Sequence, residues 1–570
     1  MWWILLARAW GRDWSAADAT ALTEVLADPD LAVGDLIELG ATTFTGPFLV
    51  PPGIELRGIS TEQTVFDAPS GTVIEVQGPA PTAGSTTLSR LTVSGGNVAR
   101  AVLARHDLVL DHVRLVAGVA DTGGLVRVEG TVTLDVQDST FSGGYASSEG
   151  GQIWLDVGST ALVSGSTLVG GRADGAGGAI AANAAALVVS DSLLTGHTSS
   201  GHGGALALTA CQTTFQDAVV SRSEAGADNR GGGLWVSGGS LELTRTVLED
   251  DVARDGGGAW LGDDATVTLT DTELRGNVAD REGGGLYVAS LQALTASGLA
   301  VVWNRAGGGA GVFVDGCCTT PFVIREARLC SNAIEDRGFY GYSGTDPRGG
   351  HARLVNATGV FEDVLWLDGA ATSSDDSQIG ALSIEGGAVD LVHQVFAWNR
   401  SPSYAAVRVR DSAVVDLRNT LFAWNVGAPV LTDDAGSLTL AYAAFAGNDG
   451  PSTQPDTLLD ETSLPAVDPG FQPGPDACDA TAWLAPESSP LHDAGDPALQ
   501  DADGSRSDIG LSSAGGSTTG GPQLDPDEPF RRDCGCGTAP APGVASPAVA
   551  LLLLSAWRRR ARARRSTETP

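Results

Sequence analysis

The sequence predicts an all-β protein: a right-handed single-stranded parallel β-helix with a short N-terminal capping helix. Three observations predict it. Gly-Gly pairs recur at a near-constant step, short apolar runs between them alternate with a period of two, and no helical periodicity of useful length intervenes.

The Gly-Gly copies read GGLVRV at 123, GGQIWL at 150, GGAIAA at 177, GGALAL at 203, GGGLWV at 231, GGGAWL at 256, GGGLYV at 283 and GAGVFV at 309. Their steps are 27, 27, 26, 28, 25, 27 and 26 residues. A second element recurs with them, ending at Asn277, Asn304, Asn332, Asn399, Asn425 and Asn448, as in VVWN and FAWN. Runs such as Val267-Thr268-Leu269 bury one face of a strand. Strands that return every 26 or so residues without crossover helices stack coil on coil, each pairing with its equivalent one turn later. A propeller blade needs about 40 residues, so that alternative is too long for the step. Glycine at the corners supplies positive φ, and the recurring Asn is expected to stack as an amide ladder inside a turn. Residues 34–480 are expected to form one solenoid of roughly 15–18 coils.

The order of elements along the chain gives its organisation. Residues 1–14 (MWWILLARAW and on) are apolar but lack a basic n-region and are broken by Arg8. They read as an atypical or truncated export segment, with the true start upstream favoured. Residues 15–33 hold the capping helix, with Ala19, Leu22, Val25 and Leu26 on one side. A cap is needed because an end coil exposes core and an unpaired strand edge. Residues 34–510 are the β-helix with a closing segment, 511–533 a Gly/Ser/Thr/Pro/Asp linker, and 534–570 a tail.

Composition narrows the function classes. All 34 basic residues are Arg, which we read as codon bias, and the formal net charge is −35. Six of those Arg lie between Arg558 and Arg565, so the body is more acidic still and will not hold nucleic acid through its phosphates. The seven Cys offer no paired CxxC motif for zinc. Cys211 and Cys317 lie four repeats apart, about 19 Å along the axis, too far for a disulfide. Cys330 is left as a partner for Cys317 or Cys318.

The tail runs Cys534-Gly535-Cys536, then GTAPAPG, then a 14-residue apolar run from Val544 to Trp557, then the Arg cluster. The run falls short of the roughly 20 residues that span a bilayer, and the cluster is a strong cytoplasmic stop.

Three resemblances follow from these residues. The GG[AIL] plus FxxN pairing over roughly residues 90–450 resembles the repeats of polymorphic outer-membrane proteins and related bacterial surface β-helices. The opening, a capping helix running into GDLIELGATTFTGPFLVPPGIELRGI at 34–59, resembles that of pectate-lyase-like β-helices, and DPGF at 468–471 with SSPLHDAGDP at 488–497 is similar to the closing segment of surface β-helix families. The tail resembles a MYXO-CTERM sorting signal; that resemblance implies that Cys534 or Cys536 is the processing and anchoring site, and that the protein is exported to the cell surface or outer membrane. An ordinary membrane anchor is the plainer alternative, and Pro547 inside the apolar run departs from the pattern.

Candidate binding residues come from the alternation. With Ile153 and Leu155 inward, Trp154 faces out, and the same count sends out Trp235, Trp260, Tyr287 and Phe313. On consecutive coils these form an aromatic stripe about 15 Å long, suited to the flat faces of sugar rings. The competing readings are a covering loop or a phase error of one residue. Asp501, Asp503 and Asp508 around Gly504 resemble part of a calcium loop without its closing Glu, so Ca²⁺ is the one cofactor suggested; a solvated turn is the alternative. No catalytic set assembles. GHGG at 201–204 falls in register with the repeat, and Asp107 and Asp111 stand about 13 Å apart on one strand, too far for a carboxylate pair. The sequence therefore points to an adhesin or polysaccharide-binding surface protein, whose partner is a polysaccharide or another surface protein. A polysaccharide lyase or glycoside hydrolase is the alternative.

Overall fold

The structure is a computed structural model that describes residues 11–77, 84–316, 318, 320–335, 349–371, 379–432, 436–454, 459–501 and 504–512. These all belong to one compact unit, Met1–Gly521. It is an all-β parallel solenoid of about 15 turns.

A typical coil is Ala259–Gly262, Thr266–Thr270, Glu273–Arg275 and the short run Val278–Glu282 that leads to the next Gly-Gly. Each strand pairs in parallel with its equivalent one coil on, in register: Trp235 with Trp260 with Tyr287 with Phe313, and Leu241 with Val267 with Leu294. Alternation does what period-two sequences require, so Val267 and Leu269 are buried while Thr266 and Thr268 are exposed. One continuous apolar core runs from Ala16 to Phe445.

The triple glycine at 256–258 has three different reasons. Gly256 has φ +65. A Cβ on Gly257 would lie 2.4 Å from the Gly284 carbonyl oxygen of the next coil, and one on Gly258 3.0 Å from Nδ2 of Asn277. The glycines thus turn the chain, let coils approach, and leave room for the amide ladder.

That ladder forms as expected. The Asn277 N–H donates to Oδ1 of Asn304 at 2.9 Å and the Asn304 N–H to Oδ1 of Asn332 at 2.9 Å. It resumes from Asn399 through Asn425 to Asn448. Each Nδ2 turns back to a carbonyl oxygen, as from Asn277 to Leu248 at 2.9 Å and from Asn425 to Phe396 at 2.8 Å. Upstream the column continues with Asp251, whose Oδ1 accepts from the Ser223 N–H at 2.7 Å. Corner chemistry also explains part of the acidity: Asp138, Asp191, Asp217, Asp271 and Asp368 all sit at φ between +46 and +54, a conformation that Asp tolerates better than most residues.

The ends differ from expectation in two ways. The solenoid starts before the helix: Asp13–Ala16 pairs with Leu36–Leu39, and Ala19–Leu26, capped by the Asp18 carboxylate on the Ala21 N–H, covers the end with Leu22 fully buried. Beyond Thr453–Gln454 the described chain adds no further named strand; residues 459–512 fold back along the outside of the last coils. There Trp483, Leu491, Ile509 and Leu511 form a second apolar core with Leu365, Val395 and Leu421. The Ser512 N–H reaches Oδ1 of Asp363, 149 residues back, at 2.7 Å. This return corrects the cysteine pairing. Cys330 bonds to Cys478, with Cα atoms 6.1 Å apart, and not to Cys317 or Cys318. Cys211 is free and buried, and so is not bonded to Cys317 or Cys318, the pairings that the coil count excluded.

Candidate functional site

The residue that follows the first inward apolar position after each Gly-Gly builds one column down the outside of the solenoid. Registered pairs run Arg127, Trp154, Ala181, Ala207, Trp235, Trp260, Tyr287, Phe313, Arg353. None of its aromatic rings belongs to the axial core, whereas Leu234, Val236, Leu286 and Val288 on either side do. The rings stack: Trp235 on Trp260 at 5.9 Å, Trp260 on Tyr287 at 6.4 Å, and Tyr287 against Phe313 at 4.8 Å. His202 extends the stack, 5.1 Å from Trp235.

The column is not the open stripe that alternation alone suggests. Trp154, Trp235 and Tyr287 are half-buried, and Trp260 and Phe313 are each only 3% exposed. Guanidinium groups add to the cover that neighbouring rings give. Arg230 lies over Trp260 at 5.1 Å, Arg353 over Phe313 at 5.4 Å and Arg127 over Trp154 at 5.0 Å. Such cation–π contacts strengthen as they lose water. The indole N–H groups of Trp235 and Trp260 are both buried without an acceptor, a cost that calls for an explanation.

A second column flanks the rings. It consists of the residue just before each Gly-Gly: His202, Arg230, Asp255 and Glu282, with Arg230 bridged to Asp255 and Asp255 registered with Glu282. Asp255 takes ion pairs from Arg254 at 2.9 Å and Arg230 at 3.8 Å. Glu282 takes one from Arg353 at 2.7 Å, and Arg353 also holds Glu385 at 2.9 Å. Burial pushes the Glu282 carboxyl up to about 7, with Arg353 opposing and Asp255 adding to the rise. Burial, Arg230 and Arg254 hold the His202 imidazole below its usual value. Burial raises the Tyr287 phenol. Sequence reading missed this charged column, although the signal was there: the position before Gly-Gly turns from Thr122, Glu149 and Ala176 to His202, Arg230, Asp255 and Glu282.

The acidic loop is divided. Asp501 closes its own turn, its N–H donating to Ser505 O and its carbonyl accepting from the Gly504 N–H. Asp508 instead meets His492 and Asp493, one ligand atom from each lying within 4.8 Å of the others. Burial raises the Asp508 carboxyl. Two carboxylates and an imidazole suit a transition metal better than calcium, which prefers an all-oxygen set. Asp503, Cys534 and Cys536 lie outside the described residues.

No protein-family model matches the chain, and no curated protein matches it. Among solved structures it is similar to "Crystal structure of pectate lyase Pel9A", at 11% identity and a TM-score of 0.28, covering 88% of this chain and 96% of that one. A likeness at this level says nothing of the chain's activity.

Proposed function

We propose that this is an exported, surface-anchored β-helix that binds polysaccharide along its aromatic column. The observation that carries the reading is the ladder from His202 to Phe313, which stands outside the core with Trp235 and Tyr287 still reachable from solvent. With the ring faces stacked on one another, the outward edges of Trp235 and Tyr287 form a rigid apolar strip against which successive sugars lie. The flanking carboxylates and guanidinium groups take their hydroxyls. Anchoring through Cys534 or Cys536 is part of this proposal and rests on the order of elements in the tail.

The test is retention of a panel of acidic and neutral polysaccharides by the full chain in affinity electrophoresis. Trp235→Ala is expected to abolish retention while the fold stands. Retention of no polysaccharide, or retention unchanged in Trp235→Ala, refutes the reading. One observation favours an enzyme instead: Asp255 and Glu282 are strand partners on adjacent coils, which brings two acidic side chains to one place on the column, as a glycosidase needs. New reducing ends or unsaturated uronates in the same panel, lost in Asp255→Asn, would establish that reading.

A further inference from the structure

A different surface carries a second site. The position before each ladder Asn always has positive φ, and it is filled by Gly276, Ser331 and Gly447 in some coils but by Trp303, Trp398 and Trp424 in others. A bulky side chain is disfavoured in that conformation, and the fold evidently does without one. Trp398 and Trp424 stack at 5.4 Å, and the returning segment seals Trp398 by accepting its indole N–H on Pro473 O at 3.0 Å. Trp424 is treated differently. The next position in the column is Gly447, where a Cβ would come within 2.7 Å of the Trp424 ring. The ring leans over the Gly447 backbone and tilts onto Trp483 at 6.1 Å, and what remains of it is half-buried and lines an open space.

The segment Asp468–Gln472 stands off from it, and an open cavity of about 480 Å³ lies between. Phe471 forms part of the far wall. This size lies in the range of about 300–1,000 Å³ typical of small-molecule sites. The polar side chains at the rim are Asp468 and Gln472, and Asp468 is the only ionisable residue that lines the cavity. Its carboxylate is exposed and accepts the Gly470 N–H at 3.0 Å.

We propose that this slot binds one neutral pyranose ring. The apolar face of the sugar lies between Phe471 and the open edge of Trp424, and its hydroxyls donate to the Asp468 carboxylate and meet the Gln472 amide. An anionic sugar meets the same carboxylate unpaired and is rejected. The proposal uses no residue of the aromatic column and stands whether or not that column binds.

The experiment uses the full chain carrying Trp235→Ala, so that the column does not contribute. Methyl β-glucopyranoside, methyl β-galactopyranoside, methyl α-mannopyranoside and galacturonate are titrated by calorimetry and saturation-transfer NMR. At least one neutral glycoside is expected to bind, with galacturonate at least tenfold weaker. Trp424→Gly and Phe471→Ala are each expected to weaken the neutral glycoside tenfold or more. Asp468→Asn, at an exposed side chain that does not threaten folding, is expected to narrow the gap to galacturonate. Binding of none of the neutral glycosides overturns the proposal, as does binding unchanged in both Phe471→Ala and Asp468→Asn. Galacturonate bound as tightly as the neutral sugars overturns the choice of ligand.

Discussion

Asp251→Asn is expected to stabilise the protein, by an amount that grows with pH. Asp251 stands in the amide ladder where later coils have Asn277, Asn304 and Asn332. It is fully buried, and its Oδ2 has no hydrogen-bond partner. In the Asn copies the equivalent atom is Nδ2, which donates to a carbonyl oxygen. A carboxyl can make that bond only while it holds its proton. Burial raises its pKa well above 3.8, and Glu249 and Asp250 push it the same way. The native state therefore binds a proton that the unfolded chain has already released. Below the unfolded pKa both states hold it and nothing is lost. As pH rises from there towards the folded pKa, stability falls by about 1.36 kcal/mol per unit. Asn carries the donor permanently and removes that slope. The gain should be about 1 kcal/mol or less near pH 4, one ordinary hydrogen bond, and about 2–4 kcal/mol at neutrality, where the parent buries either an unsatisfied charge or a proton held against the solvent. Denaturant unfolding of both proteins at pH 4, 5, 6, 7 and 8 measures it. A difference that does not change with pH, or an Asn variant less stable than the parent at pH 7, would falsify the argument.

Three further outcomes follow from the same structure. Trp260→Ala should lower the thermal midpoint by several degrees, about 3–5 kcal/mol for a buried ring of this size, whereas Trp235→Ala, half-buried, should cost clearly less; equal effects would mean that the Arg230 cover is not formed in solution. Cys478→Ser should destabilise the closing segment by up to about 5 kcal/mol, the chain-entropy value for a 148-residue separation, detected as proteolysis between residues 459 and 512 at temperatures where the solenoid resists; unchanged proteolysis would show that the second apolar core suffices alone. Deleting Val544 to Pro570 should release the protein into the medium with its circular dichroism unchanged, and a truncated protein still held at the surface would place the anchor elsewhere.

The coils were legible because their cause is local. A Gly-Gly corner, a period-two run and an inward Asn each constrain their own neighbourhood, and a step of about 26 residues repeats the constraint. What failed to show was lateral. Alternation correctly put Trp260 and Phe313 outside the axial core, but whether an outward ring is bare depends on residues one column away, and Arg230 and Arg353 reach them from other coils. The closing segment was opaque for a related reason. Residues 459–512 have no period, so nothing local says that Trp483 and Leu491 belong against Val395 and Leu421 or that Cys478 belongs beside Cys330. The carboxyl in the ladder, Asp251, was hidden by its resemblance to the other acidic corners, such as Asp250 beside it, which are turn residues.

The Cys330–Cys478 bond also decides how the molecule bears load. A pull applied on the C-terminal side of Cys478 enters the solenoid at Cys330, four coils before the strand that ends at Ala446. Everything between the two cysteines lies off the line of tension. At about 3.3–3.6 Å per extended residue, the 148-residue separation amounts to roughly 500 Å of contour that no stretching force can draw out while the bond is intact. The coils from Asn332 to Asn448, which carry Trp398, Trp424 and their slot, are mechanically shielded. Under tension the part of the strap beyond Cys478 peels and the coils before Cys330 unwind, while that stretch keeps its shape until a reductant, not a force, lets it go.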